Sequence, residues 1–324
     1  MSTVPPADQP TPSQSPPAPS QPPPDQSPPA LLEPLGSGIF AWKGAPRFGR
    51  QDLGYSPGGA QDRFSYRSGN VMLDGTDSPA ALEIVLPPRA VRFTVDCWFV
   101  LTGGRLEAEL LRGSSQPAPA GLPIEHATVY LARAGSELRF GRRVYGWRTY
   151  LCCRPAGTGE ERLAGRRRGE FSRVFSWPDA AGRIRLLKGP EHDRLQDPHA
   201  FLQLAWKTTN DMSDMGARLC PAESGAAIPE VAHAGQMVSA PVCDGTIQMT
   251  TNGPIALLRE RQTVGGYPRV FVVISADVDL LAQFGPGQRA HFTMVTVDKA
   301  RAAARAQERD LLQLAERMGS RPAE

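Results

Sequence analysis

Arg259-Glu-Arg-Gln-Thr-Val-Gly-Gly-Tyr-Pro268 lies between two apolar, strand-like runs, Pro254–Leu258 and Val270–Ser275. Charged and polar groups crowd in just before a glycine pair, which permits positive φ and a close approach of backbone to a ligand or a neighbouring segment. On polarity alone this is a charged hairpin loop. As a site it would aim an arginine, an amide and a hydroxyl (Arg261, Gln262, Thr263) at the place where the backbone of Gly265, Gly266 and Tyr267 is least covered.

The pattern around it is β. Short apolar stretches recur about every ten residues from Leu35 onward, separated by Gly, Pro, Asp and Ser, the spacing of an all-β sandwich or barrel. Expected strands include Gly38–Trp42, Leu82–Leu86, Val91–Val95, Trp98–Thr102, Arg105–Leu111, Thr128–Leu131, Glu137–Phe140 and Tyr145–Cys152. Further on come Ile184–Pro190, Val242–Met249, Arg269–Ser275 and Arg289–Thr296. A short helix is expected over Arg63–Leu73, where Phe64, Arg67 and Val71 share a face, and another, interrupted near Pro198, over Asp193–Trp206. Lys299–Met318 has the apolar spacing of an amphipathic helix.

Composition narrows the function classes. The chain has 324 residues, 40% apolar and 21% charged, an ordinary soluble balance. A net charge of +3 does not by itself argue for nucleic acid or a membrane surface. Five cysteines without C-x-x-C spacing give neither a zinc signature nor a disulfide framework and suit a reducing, cytoplasmic compartment. No apolar run approaches the length of a membrane span. Residues 1–34 form a Pro-, Ser- and Gln-rich tail that cannot bury enough apolar surface to offset its chain entropy, so disorder is expected there. Gly113–Pro123 is a surface loop. The arginine-dense stretch Arg139–Arg173 is either a basic patch or, given its interspersed acids, a solvated loop. His192 and His199 lack the spacing of a third ligand, so no metal site is expected.

Polar residues in the first half carry two readings each. Asp62 follows Gly58-Gly-Ala-Gln61; it is an N-cap for the short helix or a base. Asp52, before Leu53-Gly54, is the second candidate base. Glu83 sits in an apolar strand, where burial raises a carboxyl pKa unless an arginine pairs with it.

Several motifs taken together resemble one family. They are Gly245-Thr-Ile-Gln-Met249, Asn252-Gly-Pro-Ile255, the Arg261–Pro268 run, Val273-Ile-Ser-Ala-Asp277 and Leu281-Ala-Gln-Phe-Gly-Pro-Gly287, with Gln51–Gly54, Gly58–Asp62 and Ala80–Ile84 near the N-terminus. The series resembles the biotin-dependent carboxyltransferase or allophanate hydrolase subunit 2 family, which includes the C component of bacterial 5-oxoprolinase and the carboxyltransferase region of urea carboxylase. The resemblance implies a mainly β fold of two cyclophilin-like β-barrel subdomains, 35–180 and 184–298, with a few short helices and a C-terminal helix over 299–324. It implies two partners, the cyclophilin-like B component and the separate A component of a 5-oxoprolinase-like complex, and ATP-driven opening of 5-oxoproline to glutamate. The alternatives are carboxyl transfer to a urea-like substrate, with biotin supplied by another chain, and a non-catalytic binding paralogue.

Arg218, Gln248, Gln262, Thr263, Gly265, Gly266 and Tyr267 are the expected substrate-binding residues, and Asp52, Asp62 and Arg261 the expected catalytic ones. Three departures from the family pattern stand out. Gln61 replaces a usual methionine, Asp214 replaces a usual arginine, and Gly165–Arg168 is an altered loop. An aspartate at position 214 would repel an anionic substrate if it faced one.

Overall fold

The computed structural model describes residues 31–74, 80–112, 121–157, 163, 183–232 and 237–318. The tail before residue 31, most of the Gly113–Pro123 loop and the Gly165–Arg168 loop lie outside these residues.

The first half is an open antiparallel sheet. Its strands are β1 (Leu32–Leu35), β2 (Ile39–Lys43), β3 (Ala81–Leu86), β4 (Ala90–Phe93), β5 (Cys97–Leu111), β6 (Leu122–Pro123), β7 (Tyr130–Ala132) and β8 (Glu137–Pro155). The path runs β1-β4-β8-β3-β2, and β5 lies along β8 while also pairing β6 and β7. The inward set, including Leu82, Ile84, Phe93, Phe99, Leu101 and Leu151, forms the core.

β5 and β8 correct the sequence expectation of two strands each. Gly103 and Gly146 take positive φ, 77° and 71°, where the sequence suggests turns. Register shifts between Gly103 and Ala108 absorb the irregularity instead, so both strands continue as a bulged, coiled ribbon. A Cβ on Gly104 would lie 2.9 Å from the Gly146 carbonyl carbon, so the ribbon closes this tightly only because no side chain stands there. The arginine-dense stretch is corrected too: Arg139 to Arg154 belong to β8, and Arg148 is buried.

The second half is a closed barrel. It comprises β9 (Arg183–Lys188), β10 (Trp206–Met212), β11 (Gly216–Pro221), β13 (Thr246–Thr250), β14 (Gly253–Leu257), β16 (Arg269–Val273) and β17 (Arg289–Met294). The order is β10-β11-β14-β13-β16-β9-β17, with β17 parallel to β9 and then antiparallel to β10 at the closure. The short strands β12 (Ala240–Pro241) and β15 (Val264–Gly265) pair outside it. Phe201 packs against Trp206 at 4.6 Å and Phe271 at 4.9 Å between ring centroids, filling the barrel with aromatic area. The helix expected over Asp193–Trp206 is instead a single 3-10 turn at His192–Arg194 followed by α2 (Pro198–Gln203), and Trp206 opens a strand. Asp197 caps α2 by accepting from the Ala200 N–H at 2.8 Å. His192 is buried with its ring bonded to the Val270 carbonyl, and no group of metal-ligating side chains occurs among the described residues.

Helices α1 (Arg63–Met72), α3 (Ser275–Leu281) and α4 (Val297–Met318) join the two halves. α4 leaves the barrel and returns over α1, placing Leu314 and Met318 in the cluster that holds Tyr66, Met72 and Trp98. No described helix is long and apolar enough to cross a membrane.

Gly69 on α1 faces β8 so closely that an added Cβ would sit 2.5 Å from Cys152 Sγ. Helix propensity alone favours alanine over glycine by about 1 kcal/mol, but overpacking costs about 1–3 kcal/mol. Gly69→Ala is therefore expected to lower stability in urea denaturation, and Cys152→Ala in the same chain to recover most of the loss. A stabilised Gly69→Ala chain would refute the close packing of α1 on β8.

Candidate active site and subdomain junction

The Arg259–Pro268 segment serves two places at once. Arg259 points into the junction between the halves. Its Nε donates to the Gln61 carbonyl at 2.8 Å, Nη1 to Asp244 at 3.1 Å and Nη2 to Asp279 at 2.5 Å. Glu260 accepts from Lys43 at 3.1 Å and from Ser56 at 3.2 Å, both in the first half. Arg261 is 2% exposed and pairs with Asp244 at 3.0 Å. Gln262 turns the other way, into a cleft.

That cleft, of about 290 Å³, opens on the barrel between β11, β13 and β14. Four of the sequence-predicted binding residues line it: Arg218, Gln248, Gln262 and Tyr267. Arg218 on β11 sits opposite Ile255 on β14. Its Nε donates to Asp211 at 2.7 Å and its Nη1 to Thr250 Oγ1 at 3.1 Å, which fixes the guanidinium plane. Nη2 has no hydrogen-bond partner among the described residues.

Gln248 is 1% exposed. Its Nε2 donates to the Tyr267 carbonyl at 3.3 Å and its Oε1 accepts from Gln262 Nε2 at 3.2 Å. The second bond leaves the Gln262 Oε1 as an acceptor at the cleft. Gly265 makes this geometry reachable, since a Cβ there would lie 2.5 Å from Gln248 Nε2. The cleft thus offers a fixed cation and an amide acceptor, a pairing suited to a small molecule with a carboxylate and an N–H.

The remaining predicted site residues lie elsewhere. Arg261 belongs to the junction, where Asp244 already holds it. Thr263, Gly265 and Gly266 do not line the cleft: the Thr263 carbonyl accepts from the Val242 N–H at 3.0 Å, and Gly265 pairs with Ala240 in the β12–β15 ladder. Asp52 is exposed on a single 3-10 turn, Gln51–Leu53, and no hydrogen bond ties its side chain to cleft or junction among the described residues.

Asp62 is a helix cap, one of the two readings its position allows, and also a junction residue. It accepts from the Ser65 N–H at 2.9 Å, from Ser65 Oγ at 2.5 Å and from Gln283 Nε2 at 2.7 Å. Gln283, from the barrel half, accepts in turn from the Trp147 and Arg148 N–H groups. Burial, reinforced by the nearby Asp279 charge, pushes the Asp62 carboxyl up to about 7 despite those donors. Glu83 is buried, takes bonds from the Tyr150 hydroxyl at 2.8 Å and the Gln61 N–H at 2.9 Å, and lies 3.3 Å from Arg148; burial raises its pKa all the same.

The two family departures inside the described residues touch each other. Gln61 donates from Nε2 to the Asp214 carbonyl at 3.1 Å and accepts the Arg259 N–H on Oε1 at 3.2 Å. The Asp214 carboxylate bridges Lys43 at 2.8 Å and Arg148 at 3.1 Å. Burial alone would raise its pKa, but the two cations hold it below the ordinary carboxylate value. Asp214 does not line the Arg218 cleft; its carboxylate is turned to Lys43 and Arg148 instead of facing a substrate there.

Between about pH 4 and 7 an unfolded Asp62 is ionised while the folded one still holds its proton. Its contribution to stability therefore falls as pH rises through that window and levels off above it. Asp62→Asn is expected to shrink the stability difference between pH 5 and pH 8 in urea denaturation. A difference unchanged by the substitution would contradict the raised carboxyl.

Comparison with known proteins bears on the family and the fold. The chain is 30% identical to the C component of 5-oxoprolinase from Escherichia coli strain K12, covering 84% of this chain and 93% of the relative. It is 26% identical to the C component of 5-oxoprolinase from Haemophilus influenzae, covering 78% and 87%. The crystal structure of Kluyveromyces lactis urea carboxylase superposes with a TM-score of 0.71 at 17% identity, a likeness of fold that covers 88% of this chain and 29% of that one. A family model described as carboxyltransferase domain, subdomain A and B, matches residues 53–166 and 155–294. With the open sheet and the closed barrel as its two halves, the chain belongs to the family of carboxyltransferase domains of subdomains A and B.

Proposed function

We propose that this chain is the substrate-binding component of a 5-oxoprolinase-like amidohydrolase, which opens a cyclic amide, 5-oxoproline, to glutamate. The observation that carries the proposal is the pairing of Arg218 Nη2 with the Gln248–Gln262 amides on one small cleft. A five-membered lactam bearing a carboxylate matches that set: the carboxylate on the guanidinium, the lactam N–H on Gln262 Oε1. The 5-oxoprolinase relatives, aligned over most of their length, favour this substrate class.

Partners are part of the proposal: the cyclophilin-like B component and the separate A component of the same complex. ATP is assigned to the assembled complex, where its hydrolysis supplies the driving force for lactam opening. The Arg218 cleft has amide and guanidinium groups rather than a glycine-rich phosphate cradle, so nothing in it calls for ATP on this chain. This chain's own contribution is to bind the carboxylate, orient the ring and hold the lactam N–H.

A second reading, carboxyl transfer to a urea-like substrate with biotin brought by another chain, is favoured by the urea carboxylase likeness and by the same amide pair. Urea has no carboxylate, so in that reading Arg218 would hold the transferred carboxyl group and not the urea itself. For a non-catalytic paralogue, the Asp214 departure is of less weight, since Asp214 lies in the junction and the cleft keeps Arg218.

The test is ATP hydrolysis by the chain assembled with its partners, with and without 5-oxoproline. Stimulation by 5-oxoproline is expected, and Arg218→Ala should raise KM for it about 10–100-fold, the loss of one charge-assisted hydrogen-bond set. No stimulation, or an unchanged KM in Arg218→Ala, would overturn the assignment. Dependence on a biotinylated carrier would favour the carboxyltransferase reading.

A further inference from the structure

A second cleft, of about 350 Å³, lies where the Ala45–Phe48 loop, α1 and α4 meet Arg259 and Asp279. It shares no lining residue with the Arg218 cleft. Its electrostatics are unbalanced. Arg63, Arg67, Arg259 and Arg261 converge on its wall and the layer behind it, and three carboxylates answer them.

Glu308 takes both ends of Arg67, at 2.6 and 2.7 Å. Asp279 takes Arg259 and also Gln307 at 2.8 Å. Asp244 is left to serve Arg261 at 3.0 Å, Arg259 at 3.1 Å and Arg63 at 3.5 Å. Arg63 is the guanidinium without a carboxylate of its own. Its Nη2 reaches the Gly58 carbonyl only at 3.4 Å, its Nε is buried with no partner, and its Nη1 makes no hydrogen bond among the described residues. Burial and the charge of Arg259 push its pKa down to about 10, the response of a cation held beside other cations.

Beside these groups and the polar Ser275 and Gln307, the cleft has an apolar wall. Phe48 is 65% exposed and lies under the Arg63 guanidinium, 5.3 Å from ring centroid to Cζ. Phe64 and Leu311 complete the wall. An exposed aromatic ring held by a cation is a stacking platform for a flat ligand.

We propose that this cleft binds a small oxyanion carried on a flat apolar body, with the oxyanion on Arg63 and the body against Phe48. An incoming oxyanion supplies the missing negative charge and satisfies guanidinium donors in the planar, two-pronged geometry they favour. The site is separate from the lactam cleft and does not depend on the reaction assigned there.

Calorimetric titration of the full chain with phenyl phosphate, benzoate and inorganic phosphate tests it. Phenyl phosphate or benzoate is expected to saturate the unmodified chain, and whichever binds more tightly identifies the head group. Inorganic phosphate should bind more weakly than phenyl phosphate, for want of the flat body. Arg63→Met should weaken binding at least about tenfold, worth about 1.4 kcal/mol. Ala45→Asp should do the same by placing a carboxylate on the exposed rim, and it decides alone if Arg63→Met fails to fold. Arg218→Ala should leave the affinity unchanged. The proposal is overturned if neither aromatic probe saturates at millimolar concentration, if the deciding variant binds like the unmodified chain, or if Arg218→Ala abolishes binding.

Discussion

Arg259 carries a permanent charge where the two halves meet, with a side chain only 5% exposed. A desolvated guanidinium is tolerated only if its donors are met, so its surroundings are strongly constrained. One acceptor comes from the first half, the Gln61 carbonyl, and two come from the second, Asp244 and Asp279. Removing any of them leaves a buried charge under-partnered. Hence the Gly58–Asp62 turn, the Asp244 corner and α3 must all stand where Arg259 requires. Asp279 also accepts the Arg63 N–H at the start of α1 and Gln307 from α4, so the helices that cross the junction are tied to the same point.

The orientation of the loop follows from this constraint. With Arg259 and Arg261 both held by Asp244, and Glu260 held by Lys43 and Ser56, the chain has no slack until Gln262. Gln262 is then presented to Gln248 on the barrel wall, and the glycine at 265 lets the returning backbone pass over that amide. A charged junction and a polar cleft are thereby built from successive residues of one segment.

Much of this is legible in the sequence. Alternating apolar residues mark most strands, and the place of Asp62 just before the expected helix marks the cap of α1. Arg218, Gln248, Gln262 and Tyr267 stand out by residue type and motif, and the fold brings them to one cleft. What escapes is non-local. Nothing in the run Arg259–Gln262 says that the first and third residues meet Asp244 while the fourth faces the cleft, because Asp244 lies on a different turn. The β10–β11 hairpin is hidden because Trp206–Met212 is polar toward its end, with the pattern of a loop. The doubled glycine at 103–104 has the composition of a turn but takes the role of a bulge, since its partner strand keeps pace with it. Along the chain, Gln61 and Asp214 look like two independent losses. In the fold they are neighbours in one junction, where the amide and the carboxylate add bonds across the halves that an apolar or cationic side chain could not make in the same way.

On the proposed function, the barrel cleft, and not the junction, holds the substrate. Its most direct test is a crystal structure of the chain with 5-oxoproline bound. The carboxylate is expected within hydrogen-bond distance of Arg218 and the lactam facing the Gln248–Gln262 pair. A ligand seated at Asp52, at Arg261, or against Arg63 in the second cleft would contradict it.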